Sequence, residues 1–154
     1  MLTAAPEETI STMNILKETD IAAPARAVWD AIMEQIGPGN QMPDGTPYPF
    51  VLEAWPGGRW FRDLGNKTGH LWGHVQVIKP PTLLEIIGPL MMSYPAMNHV
   101  QYRFKAEGDI TRLLFTHRSF GLIQPQHREG LSEGWQAWLE RIRDLAEHKQ
   151  GKKG

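Results

Sequence analysis

Residues Gln126–Glu147 read QHREGLSEGWQAWLERIRDLAE, and this stretch decides the fold. Leu131, Trp135, Trp138, Leu139, Ile142, Leu145 and Ala146 recur at three- and four-residue steps. That spacing draws one wide apolar stripe along a helix. Glu133, Gln136, Glu140, Arg143, Asp144 and Glu147 fall on the opposite, solvated side. Two tryptophans within one turn need a broad, concave apolar partner, and the preceding hundred residues must supply it. Gly134 sits in mid-helix beside Trp135, where a glycine costs ~1 kcal/mol relative to alanine. Either the helix packs closely on a strand there, or space is kept at that point.

The chain has 154 residues, 41% hydrophobic and 21% charged, with a formal net charge of −1 and a pI near 6.6. Such a length and composition suit one soluble domain that buries its own core. The charge balance lacks the clustered basic face of a nucleic-acid binder, so no nucleic-acid partner is expected. There is no cysteine, which removes disulfides, thiolate chemistry and zinc–thiolate sites. Met1–Pro6 lacks the basic and apolar regions of a signal peptide. Apolar runs fall well below the ~20 residues that span a bilayer, so no membrane partner is expected and a cytoplasmic location is. Residues 1–9 read as a flexible leader, 10–148 as a single domain and 149–154 as a flexible tail.

Before the helix, the periodicity is that of strands. Ile10–Ile21 alternates loosely, through Ile10 and Thr12 and then Ile15, Thr19 and Ile21, and reads as a first strand. Pro24 starts a short helix at its first helical position, with Val28, Trp29, Ile32, Met33 and Ile36 as its apolar stripe and Gly37-Pro38 as its stop. The segment GPGNQMPDGTPYP, 37–49, reads as a loop with several turns. Runs at 50–55, 59–64, 69–78, 83–87, 99–106 and 111–120, punctuated by Pro56-Gly57-Gly58, Gly65-Asn66 and Pro80-Pro81, predict an antiparallel meander. Its last hairpin checks itself. With Glu107–Ile110 as the turn, Phe104 faces Leu113, Tyr102 faces Phe115 and Val100 faces His117, so both strands agree on the buried side. The fold class is α+β.

The same residues carry a family likeness. IAAPARAVWDAI at 21–32, PGGRW at 56–60, GHVQVIKPPTLLEI at 73–86, and TRLLFTHRSFG at 111–121 with the later Gly134-Trp135 occur in order. In this the chain resembles the START-like (SRPBCC) superfamily, and within it the group related to the ATPase activator of the 90-kDa heat-shock protein. The resemblance implies a helix-grip fold, a curved antiparallel sheet wrapped around the long C-terminal helix with a cavity between them. Two segments depart from the family pattern. The stretch after the first helix lacks the aromatic pair common there, and the loop Gly88–Asn98, GPLMMSYPAMN, is unusually apolar.

Within that implied frame, Trp60, Tyr102, Phe115, His117 and Trp135 are expected to line a ligand site, apolar with a few polar tips. Met91, Met92 and Tyr94–Met97 are either an adaptable lid or a loop folded back on the core. His70 and His74 stand ~13 Å apart along a strand, whereas two nitrogens on one zinc each lie ~2.1 Å from it; no metal site and no cofactor are expected. Strict alternation sets His70, Trp72 and His74 on the convex face, opposite Leu71, Val75 and Val77. A Trp there either faces solvent or marks a dimer contact. His117 points inward, as a structural histidine or as a general base. Glu53 and Arg59 bracket the PGG turn and are either polar contacts at the cavity end or an exposed ion pair that contributes little. No nucleophile elbow, metalloprotease helix, P-loop or dinucleotide fingerprint is present.

Three functions follow. The first is binding of a small hydrophobic molecule in the cavity. The second is a partner-binding module resembling the chaperone ATPase activator. The third is a cyclase- or hydrolase-type enzyme with His117 as its catalytic base. The chain is expected as a monomer or homodimer.

Overall fold

The hairpin of β6 (Ala96–Glu107) and β7 (Ile110–Gly121) is at the centre of the architecture, in the anticipated register. Phe104 pairs with Leu113, Tyr102 with Phe115 and Val100 with His117, and all six side chains are buried. The computed structural model describes residues 7–152, with residues 149–152 described by backbone alone. The ends of the expected leader and tail, residues 1–6 and 153–154, lie outside the described residues.

The remaining elements are β1 (Ser11–Ile21), α1 (Ala25–Gln35), β2 (Val51–Leu52), β3 (Arg59–Gly65), β4 (Thr68–Lys79), β5 (Leu83–Gly88) and α2 (Pro125–Lys152). The seven strands form one antiparallel sheet in the order β1-β7-β6-β5-β4-β3-β2. β2 to β7 are a pure meander, and β1 closes the far edge against β7. Both helices pack on its concave side, which is the helix-grip arrangement. Among the described residues no helix is long and apolar enough to cross a membrane.

Several details differ from the sequence reading. Pro24 is the residue before α1 rather than its first turn. Its φ of −69° and ψ of 156° are extended, and its carbonyl accepts from the Ala27 and Val28 amides. In β1 the buried phase is Met13, Ile15 and Ile21, so Ile10 and Thr12 face out. Only Val51–Leu52 of the expected 50–55 strand pairs; beyond it the Trp55 and Gly58 amides donate to the Glu53 and Trp55 carbonyls in a turn, and the Glu53 carboxylate accepts two bonds from the Arg59 guanidinium at 2.7 and 2.8 Å. α2 continues to Lys152.

The largest correction concerns β4. Trp60 pairs with Gly73 and Phe61 with Leu71, so Trp72 is an extra residue on β4. A bulge of this kind resets the alternation downstream. A second irregularity falls between Val75 and Val77. Trp72 is therefore only 8% exposed on the concave side with Val75, while Leu71 is 41% exposed. The convex-face placement of Trp72 and the inward placements of Leu71 and Val77 do not hold, Ile78 packing on the core in place of Val77, and the dimer contact built on Trp72 goes with them. Just beyond, β4 and β5 approach so closely at Gly73 and Gly88 that a Cβ on Gly88, at φ 154°, would collide with the Gly73 backbone.

Candidate functional site

The stripe of α2 is two adjoining edges with different fates. Leu131, Trp135, Leu139, Ile142 and Ala146 are buried in the core. Gly134, Trp138, Arg141 and Leu145 stand one step around the helix and line an open cavity of about 910 Å³. Opposite them lie Gln35 at the end of α1, residues 40–43, Gly45 and Tyr48 of the loop, Phe50, Trp72 and Met91. A Cβ on Gly134 would meet nothing within 4 Å. Of the two explanations for this glycine, close packing is therefore ruled out.

The five anticipated residues are brought together, in the layer behind this cavity. Trp60, Tyr102, Phe115, His117 and Trp135 are all buried, and the cavity wall is formed by other residues. Two aromatic series connect the layers. Phe115, Trp135 and Trp138 follow one another with centroids 4.8 and 5.5 Å apart. Trp60 meets Trp72 at 5.2 Å, and Trp72 meets Phe50 at 4.9 Å. Their polar tips are held by named partners. The Trp60 indole donates to the Ile36 carbonyl at 2.7 Å, closing the end of α1, and the Trp138 indole donates to the Tyr102 hydroxyl at 3.0 Å. Burial pushes the Tyr102 phenol up, so it stays protonated.

His117 has both ring nitrogens engaged. The Trp135 indole can only donate, and it reaches His117 Nδ1 at 2.8 Å. Nδ1 is therefore the acceptor and Nε2 carries the hydrogen, which it donates to Asn98 Oδ1 at 2.6 Å. Asn98 Nδ2 in turn donates to the Gly88 and Pro89 carbonyls, each at 3.1 Å. The relay pins the start of the 88–98 loop to the sheet and leaves the imidazole no free lone pair with which to take a substrate proton. Burial lowers its pKa to about 4.

The loop is folded back on the core. Leu90 and Met92 are buried, and the Tyr94 hydroxyl meets His127 Nδ1 at 2.6 Å. Met91 alone of the two adjacent methionines reaches the cavity. Among the described residues no group of three or more histidine, aspartate or glutamate side chains is placed to hold a metal ion.

The cavity wall also concentrates unmet polar demand. Among the described residues five enclosed side-chain polar atoms lack a hydrogen-bond partner, and four of them belong to lining residues: Gln35 Oε1, Asn40 Oδ1, Trp72 Nε1 and Arg141 Nε. The fifth is Ser119 Oγ. Native interiors leave few such atoms, so their concentration here sets this wall apart. Gln35, Asn40 and Arg141 were not identified from sequence. The one available signal was the absence of the family's aromatic pair after the first helix, which marks the same loop.

Comparison with known proteins agrees with this architecture. The description "Activator of Hsp90 ATPase homolog 1-like protein" matches residues 22–147. An uncharacterized protein from Rhizobium leguminosarum superposes with a TM-score of 0.70 at 15% identity, over 93% of this chain and 99% of that one. CalU16 from Micromonospora echinospora gives 0.61 at 20% identity, covering 92% and 84%. The Aha1 dimer from Colwellia psychrerythraea gives 0.60 at 14% identity, covering 87% and 96%. At these identities the likeness is one of fold. Among curated proteins none matches the chain.

Proposed function

We propose that this chain, which belongs to the family of Activator of Hsp90 ATPase homolog 1-like proteins, binds a small, largely hydrophobic molecule between α2, the 36–50 loop and the bulged end of β4. The observation that carries the reading is the cavity of about 910 Å³ walled by Tyr48, Phe50, Trp72, Met91 and Trp138. Its size and aromatic lining suit a small molecule, and at Gly134 the helix leaves open space into which even a Cβ would make no contact within 4 Å. In this reading Trp60, Tyr102, Phe115, His117 and Trp135 form the rigid layer that fixes the wall, with Tyr102 anchoring Trp138. The engaged lone pair of His117 argues for that supporting role over general-base catalysis.

Native against denaturing mass spectrometry of freshly purified protein tests for a co-purified molecule. Fluorescence of the neutral probe N-phenyl-1-naphthylamine then tests the site. We expect saturable binding that Gly134→Trp abolishes. Failure to bind the probe, or binding untouched by Gly134→Trp, would refute the reading. The activator reading is supported by the family alone; it predicts stimulation of a chaperone ATPase that survives Gly134→Trp.

A further inference from the structure

Resting on that reading, the polar atoms of the wall narrow the class of occupant. Gln35 and Asn40 are both buried, and each leaves an amide oxygen without a donor. Arg141 leaves its Nε–H without an acceptor. These three residues form one patch. The Gln35 amide reaches the Trp138 carbonyl only at 3.5 Å, and Arg141 Nη2 reaches the Gly39 carbonyl, next to Asn40, at 3.4 Å. Across the cavity Trp72 adds an indole N–H without an acceptor. Unmatched donors and acceptors are therefore enclosed side by side in the residues that line an apolar, aromatic wall.

Charge adds a preference. Glu140 and Asp144 also line the cavity, but both are exposed to water, which screens their charge, whereas Arg141 is half-buried. Arg141 makes no ion pair among the described residues. A guanidinium against partly enclosed apolar surface favours a carboxylate, whose charge-assisted bonds are the stronger kind. A carboxylate alone would leave the Gln35 and Asn40 oxygens unmet.

We infer that the occupant is an aromatic hydroxy acid: a ring body on Phe50, Trp72 and Trp138, a carboxylate on Arg141, and a hydroxyl donating to Gln35 or Asn40. The Gln35, Asn40 and Arg141 atoms are enclosed, so binding requires the two amides and the guanidinium to turn about their side-chain torsions, while the Trp72 indole stays packed between Phe50 and Trp60. An occupant that supplies their partners favours the turned arrangement.

The test is displacement of N-phenyl-1-naphthylamine by a matched series: 2-ethylnaphthalene, 2-naphthylacetate and 2-naphthylglycolate. Each added polar group should lower the displacing concentration about tenfold. Arg141→Met should erase the gain from the carboxylate. Gln35→Met with Asn40→Leu should erase the gain from the hydroxyl. In each background the gains are read relative to 2-ethylnaphthalene measured in that same background, and circular dichroism with a thermal melt certifies folding. Equal displacement by all three compounds overturns the inference while the binding reading stands. So does a preference that survives both sets of substitutions. If the probe itself does not bind, the reading fails and the inference falls with it.

Discussion

Acid should destabilise this protein through one imidazole. His117 is buried as the neutral ring, with Nδ1 accepting from Trp135. Burial lowers its pKa from 6.5 to about 4. Between those values the unfolded chain binds a proton that the folded chain refuses, so stability rises with pH across the window. The contribution is whole above the unfolded value, and it is lost as pH falls toward the folded one. Working the linkage with these two values gives a loss of about 2 kcal/mol between about pH 7.5 and about pH 5. With a urea slope of about 2 kcal/mol per molar, the unfolding midpoint should fall by roughly 1 M. The carboxylates held low, such as Glu53 at about 2, release their contribution only at more acid pH. The control is His117→Gln, which keeps one acceptor for the Trp135 indole and one donor for Asn98 without titrating. Urea melts followed by tryptophan fluorescence at the two pH values give the double difference. If parent and His117→Gln lose the same stability on acidification, the neutral, fully bonded imidazole is wrong.

Other perturbations test the frame around it. Gly134→Leu should raise stability by up to about 1 kcal/mol, since the helix gains propensity and the new side chain enters open space; thermal melts would check this. Trp60→Phe removes the donor to the buried Ile36 carbonyl, and should cost about 1–3 kcal/mol in urea unfolding. Thr111→Val is nearly isosteric but leaves the Ala23 carbonyl without its 2.8 Å bond, for an expected loss of about 1–2 kcal/mol. Asn98→Leu releases the Gly88 and Pro89 carbonyls together with His117. It should speed amide exchange in the 88–98 loop well before global unfolding.

The meander from β2 to β7 and the β6–β7 register were legible because they depend on short-range rules, whereas the pairing of β1 with β7 was not. A hairpin turn and two alternating strands constrain each other, and a helical stripe announces its own face. The inward direction of His117 followed from that register alone. Its hydrogen-bonding role did not, because Trp135 and Asn98 reach it from elements 18 and 19 residues away in sequence. Trp72 was misplaced for a related reason. A bulge is decided by how β3 and β4 must bend together, and no local pattern in β4 records the extra residue.

The sequence by itself determined a two-helix, meander-sheet protein with a tryptophan-rich C-terminal helix gripped by the sheet. It also singled out Gly134 as a residue needing a reason. Only the tertiary structure decided that the apolar stripe divides, one edge sealing the core and the next walling a cavity. Only it placed Gln35, Asn40, Trp72 and Arg141 around one space. The physical reason is one of range. Periodicity reports which face of an element avoids water. Which part of that face meets protein and which meets a void depends on the curvature of a distant sheet and the path of a loop.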